Sequence, residues 1–432
     1  MAISVVQQPD QYHPAYNNII YVCTSTNSAQ ENFKIEARLY DKTTATDTLI
    51  ATVRNPLNPQ GSVVFDFTYI LRNYLTHDFN LAETIGQSND NSIFRYNIKL
   101  QEVYGDPPAL TGSIVTVGTA PTDESDTDTQ PRLINMALPI PLFKDYIDDT
   151  YVSFYNTQED NHWLHRFSAD TGVDCRMTDN FAIYGIAHQK DSGGAVSQMV
   201  QTVDINAYTS AGSLIQTVNI DTNVTGAVYP TFGGHHFRIP CGPYNLNNVA
   251  GGSINSGAQP IVPTTCAYYT VTVKGAEGDF YPFRVNVVDT CDRYNGIYRL
   301  HWLNRFGGFD SFNFELASTK SNDIQRRFYK QPLGTPTSNS WSFNKSDRTN
   351  VQMLNKSNER YRIISNWITN AQATALEDLF TSPVVYWEAS STLLYSVNLL
   401  ASSYETKYTA KDKVFNLDIE FSPVFEYTSQ TY

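Results

Sequence analysis

Apolar and polar residues alternate over many short segments of the chain. Segments with this two-residue period include 33–39, 94–100, 297–303 and 312–316. Because successive side chains of a strand point to opposite faces, each segment predicts a strand with one buried face. The Gly-Gly pair at 307–308 lies between two of these segments and predicts a hairpin turn. The pattern therefore predicts a protein built mainly from short strands.

One later segment follows a helical period instead. Thr369 and Gln372 form a T-x-x-Q capping box, and an apolar stripe follows it. Ser382-Pro383 ends the pattern, because the residue before a proline avoids helical geometry. The spacing predicts a helix over 369–382.

Changes in this patterning divide the chain into three predicted regions. Residues 1–118 are predicted to form an N-terminal β-sandwich with one short helix, since strand periods flank a helical stripe at 67–75. Residues 119–290 are predicted to form a β-rich central region with long loops. Residues 291–432 are predicted to form a C-terminal β domain that carries the capped helix. The predicted fold class is mainly β, with multiple β-sandwich-like domains and a few short helices.

The composition supports the β prediction and narrows the function. Of the 432 residues, 13% are aromatic and 17% are charged, against about 25% charged in an average soluble domain. The formal net charge of −13 argues against a dedicated nucleic-acid binder, because such proteins are normally basic. No apolar run is long enough to predict a transmembrane helix, and no secretory signal is visible. The five cysteines show neither zinc-site nor disulfide spacing, so we expect free buried thiols at Cys23, Cys175, Cys241, Cys266 and Cys291.

Two histidine pairs are candidate metal ligands. His162 and His165 lie near Asp160, but no motif supplies a third ligand. Exposed loop residues that flank a buried Trp163 are the favoured interpretation of that pair. The neighbouring pair at 235–236 would point to opposite faces of a strand, which is unsuitable for one ion.

Other motifs for catalysis are missing from the sequence. The acidic cluster at 123–128 lacks the glycine and the glutamate of a calcium loop. Phosphate-binding, dinucleotide-binding, serine-hydrolase and zinc-protease signatures do not occur. A carboxylate pair for glycoside hydrolysis stays open, since that geometry is not local in sequence. Exposed tryptophans could stack sugars, although Trp302, Trp341 and Trp387 are better explained as core residues. The sequence thus predicts no enzyme, no metal and no cofactor.

Charge is distributed unevenly along the chain. Residues 123–160 carry nine acids and two bases, whereas residues 318–362 carry nine bases and three acids. Opposed patches on one chain suit a head-to-tail contact between identical subunits, which closes into rings or extends into filaments. The hypothetical subunit interface consists of Asp123, Glu124, Asp126, Asp128, Asp145, Asp148, Asp149, Lys320, Arg326, Arg327, Lys330, Lys345 and Arg348.

Three blocks of sequence resemble virion structural proteins of crAss-like and other Bacteroidetes tailed phages. They cover under a fifth of the chain and none is a catalytic motif. The blocks are NFKIEARLYD (32–41) with VFDFTYILRNYL (64–75), YRLHWLNRFGGFDSFNFE (298–315), and ITNAQATALEDLFTSPVVYW (368–387) with SYETKYTAKDKVFNLDIEFSP (403–423).

This resemblance implies a ring-forming neck or tail protein, the head-to-tail connector type that builds the DNA ejection conduit. It implies a tail-tube or connector-like fold, a homo-oligomeric ring that is often twelve-fold, and contacts with the portal and neighbouring neck or tail proteins. Tail fibres are a further candidate partner for the uncovered central region. DNA would pass through the ring without specific binding, and no membrane would be involved. The expected location is the virion, after synthesis in the bacterial host cytoplasm.

Two alternatives stay open at this point. The chain could be a head decoration or fibre-attachment protein, which is also structural. It could instead be a carbohydrate-binding or carbohydrate-cleaving tail component that recognises a receptor.

Overall fold

Strands dominate the computed structural model, which confirms the predicted fold class. Strands account for 52% and helices for 11% of the described residues, and the strands form several sheets with few short helices. The structure describes residues 3–10, 12–43, 47–77, 79–80, 87–88, 90–118, 131–148, 163–187, 200–221, 235–275, 279–288, 297–400, 414–425 and 427–428.

The chain divides into two compact units. Unit 1 comprises Met1–Asp289 together with Leu303–Asp310, and unit 2 comprises Thr290–Trp302 together with Ser311–Tyr432. The three regions expected from the sequence stay a prediction.

The first part of unit 1 contains two sheets. One has the order β1-β3-β6, and the other has the order β2-β10-β8-β4-β5 with β9 also paired to β8. Alternate residues of these strands fill one apolar core, which includes Ile35, Leu39 and Ile98. The strands are β1 Ile3–Gln7, β2 Tyr12–Pro14, β3 Ile20–Ser25, β4 Lys34–Asp41, β5 Thr48–Pro56, β6 Val63–Asp66, β7 Gln87–Ser88, β8 Ile93–Tyr104, β9 Ala109–Val117 and β10 Arg132–Ile134.

The second part of unit 1 has its own sheets and its own core. The orders are β11-β18-β17-β13-β14-β16 and β12-β15-β7. Val203, Ile205 and Val271 are among the buried residues of this core, and Trp163 also lies in it. The strands are β11 Val173–Cys175, β12 Ala182–Ala187, β13 Val200–Tyr208, β14 Leu214–Asp221, β15 His235–Pro240, β16 Ile254–Ser256, β17 Tyr268–Gly275 and β18 Phe283–Val287.

Unit 2 is organised around one large sheet of order β20-β19-β26-β27-β29-β24-β21, with β30 paired to β24. Two small sheets pair β22 with β23 and β25 with β28. The strands are β19 Tyr298–Leu303, β20 Phe309–Phe314, β21 Thr319–Lys330, β22 Thr335–Pro336, β23 Trp341–Ser342, β24 Asn350–Ile364, β25 Ile368–Thr369, β26 Val385–Ser390, β27 Leu393–Leu399, β28 Val414–Phe415, β29 Asp418–Pro423 and β30 Tyr427–Thr428.

The described helices are short. The capped helix is confirmed: α4 begins after Thr369, whose side chain accepts from the Gln372 backbone N–H. The helical stripe at 67–75 forms one α-helical turn followed by a 3-10 turn. The helices are α1 Thr68–Leu71, α2 Ile140–Asp148, α3 Pro243–Asn247 and α4 Asn370–Thr381, with 3-10 turns at Arg72–Tyr74, Asp90–Ser92 and Gly251–Ser253.

Candidate interaction arm

Unit 2 contains a long two-stranded hairpin, which we call the arm (residues 319–364). Strands β21 and β24 pair antiparallel from Thr319↔Arg362 to Lys330↔Asn350. At roughly 3.3 Å per residue, the twelve residues of β21 span about 40 Å. The connecting residues 331–349 form the tip and contain the small β22–β23 hairpin.

Local backbone chemistry shapes the tip. Gly334 has φ +83°, and a Cβ there would lie 2.4 Å from the Ser342 carbonyl oxygen, so glycine is the residue best suited to this local turn. The Asn344 N–H donates to Asp347 Oδ2 at 2.8 Å, which closes a second turn. The tip is therefore an ordered hairpin end.

The arm exposes large apolar side chains. Every residue of β21 is exposed, which is unusual for a strand at the end of a seven-stranded path. Several apolar side chains of the arm have between 46% and 62% of their surface in contact with water: Ile324, Phe328, Tyr329, Trp341, Phe343 and Met353. Single exposed apolar residues are common, but several on one hairpin indicate an interaction surface.

We call the base of the arm the root (residues 319–323 and 358–364). Its cations are paired with carboxylates, and its tyrosine packs against other aromatic rings. Lys320 Nζ lies 2.6 Å from Glu359 Oε1, and Arg360 pairs with Asp323. The hydrogen bond between Lys320 and Glu359 raises the pKa of the lysine and lowers the pKa of the glutamate.

Contacts with the rest of unit 2 also hold the root. Arg362 Nε donates to Asp418 Oδ2 at 2.9 Å. The ring of Tyr361 stacks on Phe421 with centroids 5.2 Å apart, and Trp387 lies 5.1 Å from the same tyrosine. The root is thus anchored by both charge and aromatic packing.

The outer part of the arm, which we call the distal arm (residues 324–357), is basic. It contains six lysines or arginines and one acid, Asp347. No residue in the described part of the chain forms an ion pair with Arg326, Arg327, Lys330 or Lys345. Five residues of the predicted basic half are exposed on the distal arm: Arg326, Arg327, Lys330, Lys345 and Arg348. The sixth, Lys320, lies in the root and pairs with Glu359, so the structure does not place it with the others.

The acidic half of the predicted interface is not placed by the structure. Asp123, Glu124, Asp126, Asp128 and Asp149 lie outside the described residues. Residues 145 and 148 belong to helix α2, but their side chains also lie outside what is described. Whether the two patches meet stays a prediction.

The candidate metal ligand His165 has a structural role instead. Its Nδ1 lies 2.7 Å from Asp310 Oδ1, and its Nε2 accepts from the Tyr184 backbone N–H at 3.1 Å. The expectation that His165 is an exposed loop residue is wrong, because it is 7% exposed, whereas its neighbour Trp163 is buried as expected. Residues 160 and 162 lie outside the described residues.

The hairpin turn at 303–310 completes this buried network in unit 1. Asn304 Nδ2 donates to Leu164 O and to Asp310 Oδ2, both at 2.9 Å. Asp310 Oδ2 also accepts from the Arg166 backbone N–H. A Cβ on Gly308 would lie 2.3 Å from Leu164 O, so the turn needs glycine for its close backbone approach. Both nitrogens of His165 are used within the fold.

Other candidate residues are accounted for by packing. Trp302 is fully buried and Trp387 is half-buried, whereas Trp341 is exposed at the arm tip, so its assignment to a core is wrong.

Among the described side chains, the second histidine pair gives no metal site either. Burial lowers the pKa of His236 to about 3. Across the described ranges, no three His, Cys, Asp or Glu side chains gather as a metal site. Four of the cysteines (Cys23, Cys175, Cys241 and Cys266) are free and buried, as expected, and residue 291 lies outside the described residues.

Sequence patterning missed the arm itself. Residues 318–362 read as a polar stretch because Ile324, Phe328 and Met353 do not alternate with polar residues in a regular way. The only signal was charge, which identified the basic residues without the strands that display them.

Comparison with known proteins adds no family assignment. No family model matches the chain, and no curated protein matches it. Among the described helices, none is long and apolar enough to span a bilayer.

Proposed function

We propose that the chain is a structural component of a bacteriophage virion, and specifically a ring-forming neck or tail protein of the head-to-tail connector type. The observation that carries this proposal is the arm: an ordered hairpin of about 40 Å whose apolar side chains stay in water in the single chain. Such a surface is suited to burial against another subunit of an assembly.

The charge balance supports a conduit. Removing the +6 of residues 318–362 from the total of −13 leaves −19 on the remaining residues. A ring with an acidic lumen repels phosphate, so duplex DNA passes without being retained by counterion release. The basic residues of the arm would then serve contacts between subunits.

The rigid β architecture also supports a structural role. Multiple sheets with buried, close-packed apolar cores give a subunit that resists deformation under mechanical force. Many exposed aromatic side chains suit large permanent interfaces, where tyrosine, tryptophan and phenylalanine are enriched.

Negative-stain electron microscopy of the purified chain tests the proposal. We expect closed rings of uniform diameter at low ionic strength. A chain that stays monomeric at high concentration would contradict a ring-forming role. Trimers that bind glycans would favour a receptor-recognition component, and attachment to capsid shells alone would favour head decoration.

A further inference from the structure

We infer that the distal arm is the docking surface for a second copy of this chain, and that the contact is head-to-tail. This inference rests on the proposed function and names the partner of the arm. The occupant is the acidic remainder of the neighbouring copy, and each copy both offers an arm and receives one.

Charge identifies the partner. The distal arm carries six bases against one acid, a net charge of +5, while the chain outside residues 318–362 carries −19. A second copy therefore brings a net charge of opposite sign with it. Such complementarity steers association and fixes orientation, and it weakens when salt is added.

The division between root and distal arm shows which part makes the contact. All three cations of the root have carboxylate partners within unit 2: Lys320, Arg360 and Arg362. The cations at 326, 327, 330 and 345 have no ion pair among the residues described. The same distal part carries Phe328, Trp341 and Phe343, whose exposed rings could be buried on docking.

The arm is pre-organised for this contact. Twelve backbone pairs and the packed root hold it in place before a partner arrives. A docking element that is already ordered loses less conformational entropy on binding.

The same charges favour a head-to-tail contact over a two-fold symmetric one. If two arms docked on one another about a two-fold axis, +5 would face +5. The edge strand β21 also carries four cations and one acid along its twelve residues, which discourages pairing of two β21 edges. A contact between unlike surfaces is heterologous, and heterologous contacts form rings when their rotation closes.

An armless variant tests the inference. Residues 325–356 are replaced by an Asn-Gly turn that joins Ile324 to Ser357, which face each other in the ladder. Sedimentation velocity is measured for the intact chain, the armless variant and their mixture.

We expect the intact chain to assemble and the armless variant to stay monomeric with an unchanged thermal midpoint. In an excess of the armless variant, intact chains should end as one-to-one heterodimers, because the armless copy receives an arm and offers none.

A charge-reversal variant tests the same point without shortening the chain. R326E/R327E/K330E should weaken assembly at least 10-fold at 50 mM salt. The control K320E/E359K exchanges the partners of a root ion pair 2.6 Å apart and keeps the net charge, so it should assemble like the intact chain. Raising salt to 500 mM should weaken assembly of the intact chain about 10-fold.

The outcomes separate the two proposals. An armless variant that assembles like the intact chain overturns the docking inference and leaves the ring-forming function standing. An intact chain that never assembles overturns the ring-forming function and the inference together. Arm-dependent binding of the intact monomer to a DNA duplex, or to vesicles containing phosphatidylserine, without self-assembly overturns the second-copy inference in favour of that other ligand.

Discussion

Two hairpins of this chain have opposite environments. The turn at 303–310 is buried in unit 1, and the polar atoms of Asn304 and Asp310 are hydrogen-bonded within the protein. The arm tip at 331–349 is exposed and displays aromatic rings and cations. Both are ordered antiparallel hairpin ends. The difference shows that side-chain chemistry decides whether a hairpin end is buried in the fold or stays exposed to water.

The largest expected loss of stability comes from adding a side chain to the glycine of the buried turn. Gly308→Ala places a Cβ 2.3 Å from Leu164 O and should lower the free energy of unfolding by about 3 kcal/mol, because packed backbone must move. Gly334→Ala, whose Cβ would meet Ser342 O at 2.4 Å, is the matched control in the exposed tip.

Urea denaturation of both glycine variants measures this difference. The control should cost less than about 1 kcal/mol of global stability, because exposed tip backbone can shift into water. Equal losses from the two substitutions would show that the two hairpin ends do not differ as described.

A carboxylate in each hairpin gives the next comparison. Asp310→Asn removes the charge that binds His165 at 2.7 Å and should cost about 2 kcal/mol of unfolding free energy, since a buried hydrogen-bond network loses a partner. Asp347→Asn disturbs only the exposed bond from Asn344, so calorimetry should show a nearly unchanged thermal midpoint. A larger loss from the Asp347 substitution would reverse the comparison.

Acid should weaken unit 1 before it weakens the root of the arm. Burial lowers the pKa of His13 from 6.5 to about 4, so the unfolded chain binds the proton more readily. The stability that depends on neutral His13 is complete above about pH 6.5 and falls by roughly 1.4 kcal/mol per pH unit towards pH 4. Glu359 has a pKa below 4.5, so its contribution to the root is lost only at lower pH.

Calorimetry between pH 7 and pH 4.5 checks the order of these events. His13→Gln keeps a side chain that can donate to Asn18 O, and it should reduce the slope by about 1.4 kcal/mol per pH unit. The slope that remains comes from His236, whose pKa burial lowers to about 3. An unchanged slope in this variant would remove His13 from the explanation.

The smallest effect is expected at the root of the arm. Lys320→Gln breaks an ion pair in which the lysine side chain is 47% exposed, so it should change the unfolding free energy by less than about 1 kcal/mol. A double-mutant cycle with Glu359→Gln measures the coupling. A coupling above about 2 kcal/mol would mean that the root depends on this pair rather than on aromatic packing.

Sequence patterning predicted the parts of the fold that local chemistry specifies. The capping box at Thr369 and Gln372 fixed where α4 begins, and regular alternation located strands such as β4 and β8. Alternation at 312–316 predicted one buried face, but β20 spans Phe309–Phe314 and is buried on both faces. The Gly-Gly pair predicted the buried turn, but nothing local linked Asp310 to His165, which lies 145 positions earlier in the chain. The arm lacks regular alternation because both faces of β21 are exposed, so only its charge was visible in the sequence.

We propose that the distal arm contacts another copy of the same chain. Zero-length carbodiimide cross-linking of an equal mixture of ¹⁴N-labelled and ¹⁵N-labelled protein tests it most directly, because it joins amines to carboxylates in direct contact. We expect mixed-isotope cross-links from Lys330 and Lys345 to acidic residues of the other copy, with the acids between Asp123 and Asp149 as the acceptors. Cross-links from these lysines that join only chains of the same isotope would contradict it.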